Sequence, residues 1–431
     1  MDDDKFDVII IGAGLAGSEA AYKLAQAGLQ VVLVERGPYP GAKNLSGGIL
    51  YGRVLHELIP NFWEEAPVER HITNNIVTFM TEDASFNVDY KSKALGDLPY
   101  NSFSVLRGKF DRWLGEKAEE AGAMLVPGIK VDRLLKENGR VVGIVAGDEE
   151  MRADVVIAAD GANSFIAQEA GLRGRIPTGE IAVGVKELIS LPREVIEERF
   201  NLTGDEGAAY GIVGFATRGV AGGGFFYTNT DSLSIGLVMH LDELMKAGLK
   251  PYEVMEDYLA HPLIAPLIKD GKLIEYGAHL VPEGGVEMMP QLFTDGLLVV
   301  GDAAGLSVNN GFVVRGMDLA IGSGVAAADT ILEIKEQGDF SAQALSLYKT
   351  KLDASFVMAD MRTYAKAPHF MKNPHLYEAF PAMLTGLMHE IYYQDMTPKK
   401  HMVPTLLDSV KKADLSLFDL MKDGLGGAKA L

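Results

Sequence analysis

Long apolar runs and alternating stretches occupy different parts of the chain, and this division predicts an α/β fold with an inserted sheet. Unbroken apolar runs, typical of strands buried on both faces of a parallel sheet, lie at 8–11, 31–34, 155–159 and 297–300. From about 180 to 285, apolar and polar residues alternate, which predicts antiparallel strands. From 340 to 431, apolar residues recur at helical spacing between five prolines, which predicts a helical C-terminal region.

A glycine-rich turn joins the first predicted strand to the first predicted helix. Gly12 suits the tight turn, Gly14 allows the backbone to approach a pyrophosphate, and Gly17 allows the helix to pack closely on the strand. Glu35 ends the second strand 18 residues after Gly17, close to the roughly 20 expected of a carboxylate that binds an adenosine ribose. An acid at this position favours FAD or NAD over NADP. The candidate phosphate contacts are Gly12, Ala13, Gly14, Leu15, Ala16 and Gly17.

Two further apolar strands end in acidic and glycine residues. Asp160 and Gly161 follow the strand at 155–159, and Gly301 and Asp302 follow the strand at 297–300. Ligands of open α/β sheets bind at such carboxyl ends. Asp302 has two interpretations: it accepts hydrogen bonds from a sugar-alcohol chain, or it only caps a helix.

Three other features also allow two interpretations. Arg107, at a strand-to-helix junction, either reaches a bound anion or makes a surface salt bridge. The glycines at 222–224 either let the backbone approach a flat ligand or form a turn. The apolar residues of 49–63 recur at helical spacing, which predicts either an amphipathic helix packed on the core or a helix at a membrane surface.

Composition excludes several classes of protein. The chain has 431 residues, 48% hydrophobic residues and a net charge of −19, which indicate a large globular protein that does not bind nucleic acid. It has no cysteine, so it forms no disulfide and ligates no iron–sulfur cluster through cysteine. There is no apolar run long enough to span a bilayer and no apolar leader, so we expect a cytoplasmic protein. No metal-ligand spacing stands out, and we predict no metal site.

In combination, these features resemble the FixC branch of the electron-transfer-flavoprotein:quinone oxidoreductases. The stretches that carry the finer resemblance are PGAKNLSGG at 40–48, LRGKFD at 106–111, GGFFYTN at 223–229 and EYGAHLVPEGG at 275–285. The resemblance implies an FAD-binding, glutathione-reductase-type fold of the p-hydroxybenzoate-hydroxylase kind, with an antiparallel-sheet quinone lobe. Its discontinuous FAD-binding domain would comprise 1–70, 101–178 and 286–340. The quinone lobe would comprise 71–100 and 179–285, and 341–431 would be a helical region for partner docking.

The resemblance also implies roles for particular residues. Besides the turn residues above, the expected FAD contacts are Glu35, Arg36, Lys43, Ser46, Gly47, Arg107, Val131, Asp160, Gly161, Gly301, Asp302 and Gly305. Gly222, Gly223 and Tyr227 would contact the quinone. Leu55, Ile59, Trp63 and Phe312 would contact the membrane. Tyr227 and His279 are candidate proton donors to the quinone. The loop at 306–316 keeps the small apolar character of the family but differs from its pattern.

The implied function is electron transfer. Electrons would pass from the alpha and beta subunits of an electron-transfer flavoprotein (ETF) to a separate FixX-like ferredoxin carrying a [4Fe-4S] cluster. They would then pass through FAD to a membrane quinone, menaquinone or ubiquinone, with this chain peripheral to the cytoplasmic face of the membrane. The alternatives are an enzyme like geranylgeranyl reductase, which saturates isoprenoid double bonds, an FAD-dependent aromatic monooxygenase, and a flavin-bearing scaffold without activity.

Overall fold

Two large β-sheets, a small two-stranded sheet and α-helices, several of them grouped at the C-terminus, make up the described part of the computed structural model, residues 5–44 and 48–431. The strands are β1 (Lys5–Ile11), β2 (Val31–Glu35), β3 (Gly48–Tyr51), β4 (Val68–Met80), β5 (Ser85–Lys91), β6 (Ser102–Val105), β7 (Met124–Pro127), β8 (Arg133–Glu137), β9 (Arg140–Ala146), β10 (Glu149–Ala158), β11 (Ile181–Ser190), β12 (Glu206–Gly214), β13 (Gly222–Thr228), β14 (Ser232–His240), β15 (Lys272–Pro282), β16 (Phe293–Thr294), β17 (Leu297–Val299), β18 (Val308–Asn309) and β19 (Val314–Arg315). The α-helices are α1 (Leu15–Gln26), α2 (Arg53–Leu58), α3 (Arg107–Glu120), α4 (Phe165–Glu169), α5 (Arg193–Phe200), α6 (Leu241–Ala247), α7 (Pro251–Ala260), α8 (Ala265–Ile268), α9 (Met317–Ile334), α10 (Ala342–Ala354), α11 (Phe356–Thr363), α12 (Ala367–Phe370), α13 (Ala379–Tyr392), α14 (Met402–Lys412) and α15 (Leu417–Ala430).

The first sheet contains the four apolar runs that the sequence indicates as buried strands. Its order is β16-β17-β10-β1-β2-β7, with β9 and β8 attached beside β10. β1 pairs in parallel with β2 and β10, so Ile10 lies between Leu33 and Ile157. All three side chains are fully buried, as expected of a parallel sheet covered on both faces. The predicted α/β fold is therefore confirmed.

The second sheet has nine strands in the order β15-β11-β14-β13-β12-β4-β6-β3, with β5 beside β4. Its pairs are antiparallel as predicted, except that β4 and β12 run parallel. β3 and β6 also belong to this sheet, although the sequence analysis placed both in the FAD-binding domain. Backbone pairing between distant segments decides this membership, so the lobe takes in strands at 48–51 and 102–105.

The segment at 49–63 is not one amphipathic helix. β3 is followed by the short helix α2 and a single 3₁₀ turn at Phe62–Glu64. Leu55 is fully buried, so the prediction that Leu55 contacts a membrane is wrong. Ile59 and Trp63 are partly buried against the same cluster, and the Trp63 ring stacks on Phe103 with centroids 6.1 Å apart. The core-packing interpretation therefore fits this segment.

Arg70 joins three parts of the second sheet from inside the protein. Its side chain is buried, and its guanidinium donates to the carbonyls of Asn229 (2.7 Å), Gly204 (2.8 Å) and Glu206 (3.0 Å). We expect Arg70→Met to lower the free energy of unfolding by about 3 kcal/mol, because one buried and two part-buried hydrogen bonds to carbonyls are lost, each worth about 1 kcal/mol. Urea unfolding measures the change, and Arg133→Met, at an exposed position, is the control. Equal midpoints for the two variants would contradict this role.

The C-terminal region is helical as predicted. α13 packs against β4, β5 and α14, and α15 packs against α12. A capping box at Ser416 and Asp419 begins α15, in which each side chain accepts a hydrogen bond from the other residue's backbone N–H. Among the described residues, no helix is both long and apolar enough to cross a bilayer.

Candidate flavin and quinone site

A cavity of about 530 Å³ lies between the two sheets, at the carboxyl ends of β1, β2 and β10. It brings together most of the residues that the sequence analysis indicated. Those that line it are Gly12, Gly14, Leu15, Ala16, Glu35, Arg36, Lys43, Arg107, Val131, Asp160, Gly161, Gly222, Gly223, Tyr227, His279, Gly301 and Asp302. Three distant segments thus converge on one elongated space, which fits a cofactor as long as FAD.

The remaining predicted FAD contacts do not line the cavity or lie outside the described residues. Ala13, Gly17 and Gly305 do not line the cavity, and a Cβ on Gly17 would lie 2.0 Å from the carbonyl oxygen of Gly12. Gly17 therefore serves the packing of α1 on β1. Ser46 and Gly47 lie outside the described residues.

The turn between β1 and α1 has the backbone shape that an anion requires. Gly12 has a φ of +103°, and a Cβ there would lie 2.3 Å from the carbonyl oxygen of Ala159, so only glycine fits. Gly14 instead faces the cavity, and a Cβ there would meet no atom within 4 Å. No side chain caps the first N–H groups of α1, which leaves them and the positive end of the helix dipole available to phosphate.

Glu35 is held in place by two backbone groups. Its carboxylate accepts hydrogen bonds from the N–H of Ala13 (3.0 Å) and of Gly37 (2.5 Å). These bonds fix the carboxylate at the end of β2, on the wall of the cavity. Because each carboxylate oxygen has two lone pairs, Glu35 retains acceptor sites for the hydroxyls of a ribose.

Arg107 lies at the cavity and forms an ion pair with a buried carboxylate, not a salt bridge at the surface. It lines the cavity, and it donates two hydrogen bonds to Asp111 on its own helix, at 2.6 and 2.8 Å. Asp111 also accepts from the amide of Asn44 at 2.5 Å. Burial raises the pKa of Asp302, and the positive charge of Arg107 opposes that shift. The guanidinium is therefore held at a fixed point, beside the carboxylate expected to bind the ribityl chain.

The second sheet forms the opposite wall, and glycines make that wall concave. The register places one row of residues across five neighbouring strands: Gly211, Phe225, Gly236, Lys186 and Gly277. Gly236 lies under the Phe225 ring, which stacks on Tyr227 with centroids 5.1 Å apart. Gly211 has no atom within 4 Å of its Cβ position. The wall is therefore indented at the glycines, beside the stacked rings of Phe225 and Tyr227.

Gly222–Gly224 belong to strand β13, so the interpretation of these glycines as a turn is wrong. Gly222 has a φ of +150°, and a Cβ there would lie 2.0 Å from the carbonyl oxygen of Val238. Only glycine fits at this position, where two strands approach closely. Gly222 and Gly223 both line the cavity, as expected of backbone that lies against a flat ligand.

The sequence analysis missed the polar groups at the end of the cavity near Gly222. Tyr377 accepts a hydrogen bond from the Gly222 backbone and donates one to the carbonyl of Met371. Glu283 is buried, and its carboxylate accepts a hydrogen bond from the Asn309 amide at 3.5 Å. Burial raises the pKa of Glu283 to about 7, with the Asn309 hydrogen bond opposing the shift. Glu283 occurs in the stretch at 275–285, but nothing in that stretch marks it as buried.

Other titratable side chains of the cavity include Lys186, Tyr227 and His279. Burial lowers the pKa of Lys186 to about 7 and also lowers the pKa of His279. Burial raises the pKa of Tyr227. Tyr227 and His279, the predicted proton donors, both line the cavity. Among residues 5–44 and 48–431, no group of three or more metal-ligating side chains is present.

The turn, the acid at the end of β2 and the shared cavity define an FAD-binding flavoprotein of the two-sheet type. Residues 5–197 match the family model of an FAD binding domain. Residues 181–281 match the ubiquinone-binding domain of ETF-QO, and 367–431 match the ETF-QO/FixC family C-terminal domain. The chain belongs to the ETF-QO/FixC family, and it is an FAD-dependent oxidoreductase.

Full-length relatives support this assignment. The chain is 46% identical over 431 residues to a probable electron transfer flavoprotein-quinone oxidoreductase, YdiS, of Escherichia coli (strain K12), and the match covers 100% of both chains. It is 47% identical to Protein FixC of Salmonella typhi, again over 100% of both chains.

Solved structures show the same fold at lower sequence similarity. A geranylgeranyl bacteriochlorophyll reductase-like protein from Thermoplasma acidophilum has a TM-score of 0.72 and 22% identity, covering 97% of this chain and 99% of that one. The flavin-dependent brominase Bmp2 has a TM-score of 0.64 and 17% identity, covering 95% of this chain and 99% of that one. These similarities concern the fold alone.

Proposed function

We propose that this chain passes electrons from an electron-transfer flavoprotein, through a separate ferredoxin-like subunit and FAD, to a membrane quinone. The observation that carries the proposal is the single cavity that joins the dinucleotide turn of the first sheet to the glycine-indented wall of the second. The family match at 181–281 to a ubiquinone-binding domain supports a quinone on that wall.

The residues of the first sheet fit FAD. Free N–H groups at the start of α1 would bind the pyrophosphate, Glu35 the adenosine ribose, and Asp302 the ribityl chain. When bound, FAD supplies the two-electron chemistry, and the protein supplies position and electrostatics. Arg107, already paired with Asp111, would place a fixed positive charge near the phosphates.

The second sheet would hold the quinone head. Gly222 and Gly223 would lie against the ring, Tyr227 beside it, and the apolar side chains of the wall would exclude water. Menaquinone and ubiquinone both have a planar head that suits such a wall.

Quinone reduction consumes two protons along with two electrons, and Glu283 is the group we propose as a proton donor. It faces the cavity near Tyr377 and also lines a separate cavity of about 10 Å³, which is about the space of one water molecule. Ser307, Met361, Tyr364 and Pro368 are among the other residues that line that small cavity. A water there would carry protons to Glu283 from the outer surface.

The partners follow from the electron path. Since the sequence has no cysteine, a [4Fe-4S] cluster in this path would reside on a FixX-like subunit. The ETF alpha and beta subunits would supply its electrons, as the name of the YdiS relative suggests for that protein. The proposed electron path ends at the cavity wall that the second sheet forms. A bulky side chain on that wall should therefore stop electron transfer without removing FAD.

Gly211→Phe tests whether the quinone head binds against the second sheet. A side chain at Gly211 meets no atom within 4 Å of its Cβ and projects into the cavity, so we expect a folded protein that keeps FAD. The rate of reduction of a short-tailed quinone should fall about 100-fold, because the quinone ring can no longer bind against the wall at Gly211. Gly174→Phe is the matched control, since Gly174 has the same free space but is exposed outside the cavity. Unchanged quinone reduction in Gly211→Phe would refute the proposed location.

A further inference from the structure

Lys186 is a buried lysine on the wall of the cavity, and the electron path proposed above does not use it. It lies in the middle of β11, is 2% exposed and lines the cavity. Its neighbours in the same row of the sheet are Gly236 on β14 and Gly277 on β15. Lysines are rarely buried to this degree. A titratable group buried at a ligand site is a candidate for acting on the ligand.

Lys186 is close both to the groups expected to hold FAD and to the aromatic part of the second sheet. The positive charge of Arg107 acts on Lys186, and it also acts on Asp302, the carboxylate expected to bind the ribityl chain. On the other side, the Phe225 ring lies over Gly236, the neighbour of Lys186 on β14. A charge on Lys186 is therefore placed to act on the flavin as it gains and loses electrons.

Four titratable side chains surround Lys186 on its own face of the sheet. Glu275 and His279 lie on β15, one row to either side of it, and His240 lies on β14, two rows away. Arg107 acts on it from α3, whereas α7 packs against the apolar cluster on the opposite face of β11. Burial lowers the pKa of both histidines, so they are neutral above pH 7. Of these four groups, Glu275 and Arg107 therefore carry charge at that pH.

Lys186 can exchange its proton near neutral pH. Burial lowers its pKa to about 7, the negative charge of Glu275 opposes that shift, and the positive charge of Arg107 adds to it. An exposed lysine stays charged at this pH. A flavin that gains two electrons and one proton carries one more negative charge. In a buried site, such a charge strongly favours the protonated form of a nearby lysine.

We infer that Lys186 binds a proton at its Nζ when the bound flavin is reduced, and that the resulting charge stabilises reduced FAD. Two protons then accompany the two electrons, one bound by the flavin and one by Lys186. On reoxidation the two electrons pass to the quinone, Lys186 becomes neutral again, and the two protons released equal the two that the quinone takes up. Glu283 remains the group proposed to give a proton to the quinone itself. The inference rests on the proposed function only for the quinone as electron acceptor.

Spectroelectrochemical titration of the full, FAD-loaded chain between pH 7.5 and pH 9 tests the inference. It gives the midpoint potential of the bound flavin, and the slope of that potential against pH gives the number of protons bound per electron pair. We expect K186M to bind about one proton fewer than the wild type. Its potential should also be lower, because reduced FAD should bind at least about tenfold more weakly relative to oxidised FAD, which corresponds to about 30 mV for a two-electron couple.

K186R separates the charge of Lys186 from its proton exchange. Arginine stays charged in proteins, so K186R should keep the potential at or above that of the wild type and still bind about one proton fewer. K272M is the matched control, since Lys272 is exposed on β15 outside the cavity, and it should match the wild type in both quantities. Near-ultraviolet circular dichroism checks that each variant is folded. A wild-type proton count in K186M or K186R would overturn the inference, and so would a wild type that binds only about one proton.

The failure of the proposed function would look different, because the titration contains no quinone. A wild type that shows the expected proton count but reduces no short-tailed quinone would refute the proposed function and leave Lys186 as the proton-binding group. A wild type that reduces the quinone, together with a K186M variant of unchanged proton count, would overturn the inference and leave the proposed function standing.

Discussion

Gly14→Leu should abolish high-affinity FAD binding and leave the apoprotein as stable as the wild type. Gly14 faces the cavity, and its Cβ position meets no atom within 4 Å. Its φ of −79° and ψ of −176° are open to any residue, so the fold has no reason to reject leucine. The new side chain would occupy the space where a pyrophosphate approaches the backbone. We expect FAD affinity to fall at least about 100-fold, or about 2.7 kcal/mol.

Two measurements check this expectation. Titration with FAD gives the affinity directly, and thermal unfolding gives it independently, because a ligand at 100 times its Kd raises the free energy of unfolding by about 2.7 kcal/mol. The wild type should gain that stability on adding FAD, and Gly14→Leu should not. Gly108→Leu is the matched control, since Gly108 also has free space in the first turn of a helix but lies outside the cavity. Tight FAD binding by Gly14→Leu would contradict our assignment of the phosphate site.

Glu283→Gln should slow quinone reduction about 100-fold, the usual scale for loss of a positioned proton donor. Burial raises the pKa of Glu283 to about 7, so the carboxyl is protonated below that pH and charged above it. In the wild type, the rate should therefore fall as pH rises above about 7. In Glu283→Gln the residual rate should lack that inflection. Stopped-flow reduction of a short-tailed quinone between pH 5 and pH 9 measures both.

The same change has a stability effect that does not depend on catalysis. An ordinary glutamate ionises near pH 4.5 and Glu283 near pH 7, so the folded protein loses stability as pH rises between these values. The loss is of the order of 3 kcal/mol. Glu283→Gln is neutral at every pH, so we expect it to exceed the wild type in stability at pH 8 and to match it at pH 4. Comparing the two proteins removes the similar contribution of Glu19, whose pKa burial raises to about 8. Parallel stability curves would show that Glu283 is not a buried acid.

The first sheet was predictable because its signals are local. The glycines at 12, 14 and 17 and Glu35 act within one strand-turn-helix-strand unit, where short-range sterics and hydrogen bonds fix the geometry. The structure accordingly places Gly12, Gly14 and Glu35 on one wall. The structure of such a unit depends little on the rest of the chain, so the local sequence is enough to predict it.

The second sheet was less predictable because pairing between distant segments determines it. The sequence at 222–224 does not show that β14 lies beside these glycines, and three consecutive glycines are equally compatible with a turn. Likewise, helical spacing in 49–63 does not distinguish a membrane helix from a strand and a short helix packed on Phe103. Glu283 shares this difficulty, since its burial arises only when the whole chain has folded.

Anaerobic mixing of the FAD-loaded, reduced protein with a short-tailed quinone tests the central claim most directly. The flavin absorbance should return to the oxidised spectrum as one equivalent of quinol forms, with Gly211→Phe far slower and Gly174→Phe unchanged. The result that would contradict the account is a flavin that stays reduced with quinone but is reoxidised by oxygen with an aromatic substrate, or by an isoprenoid double bond.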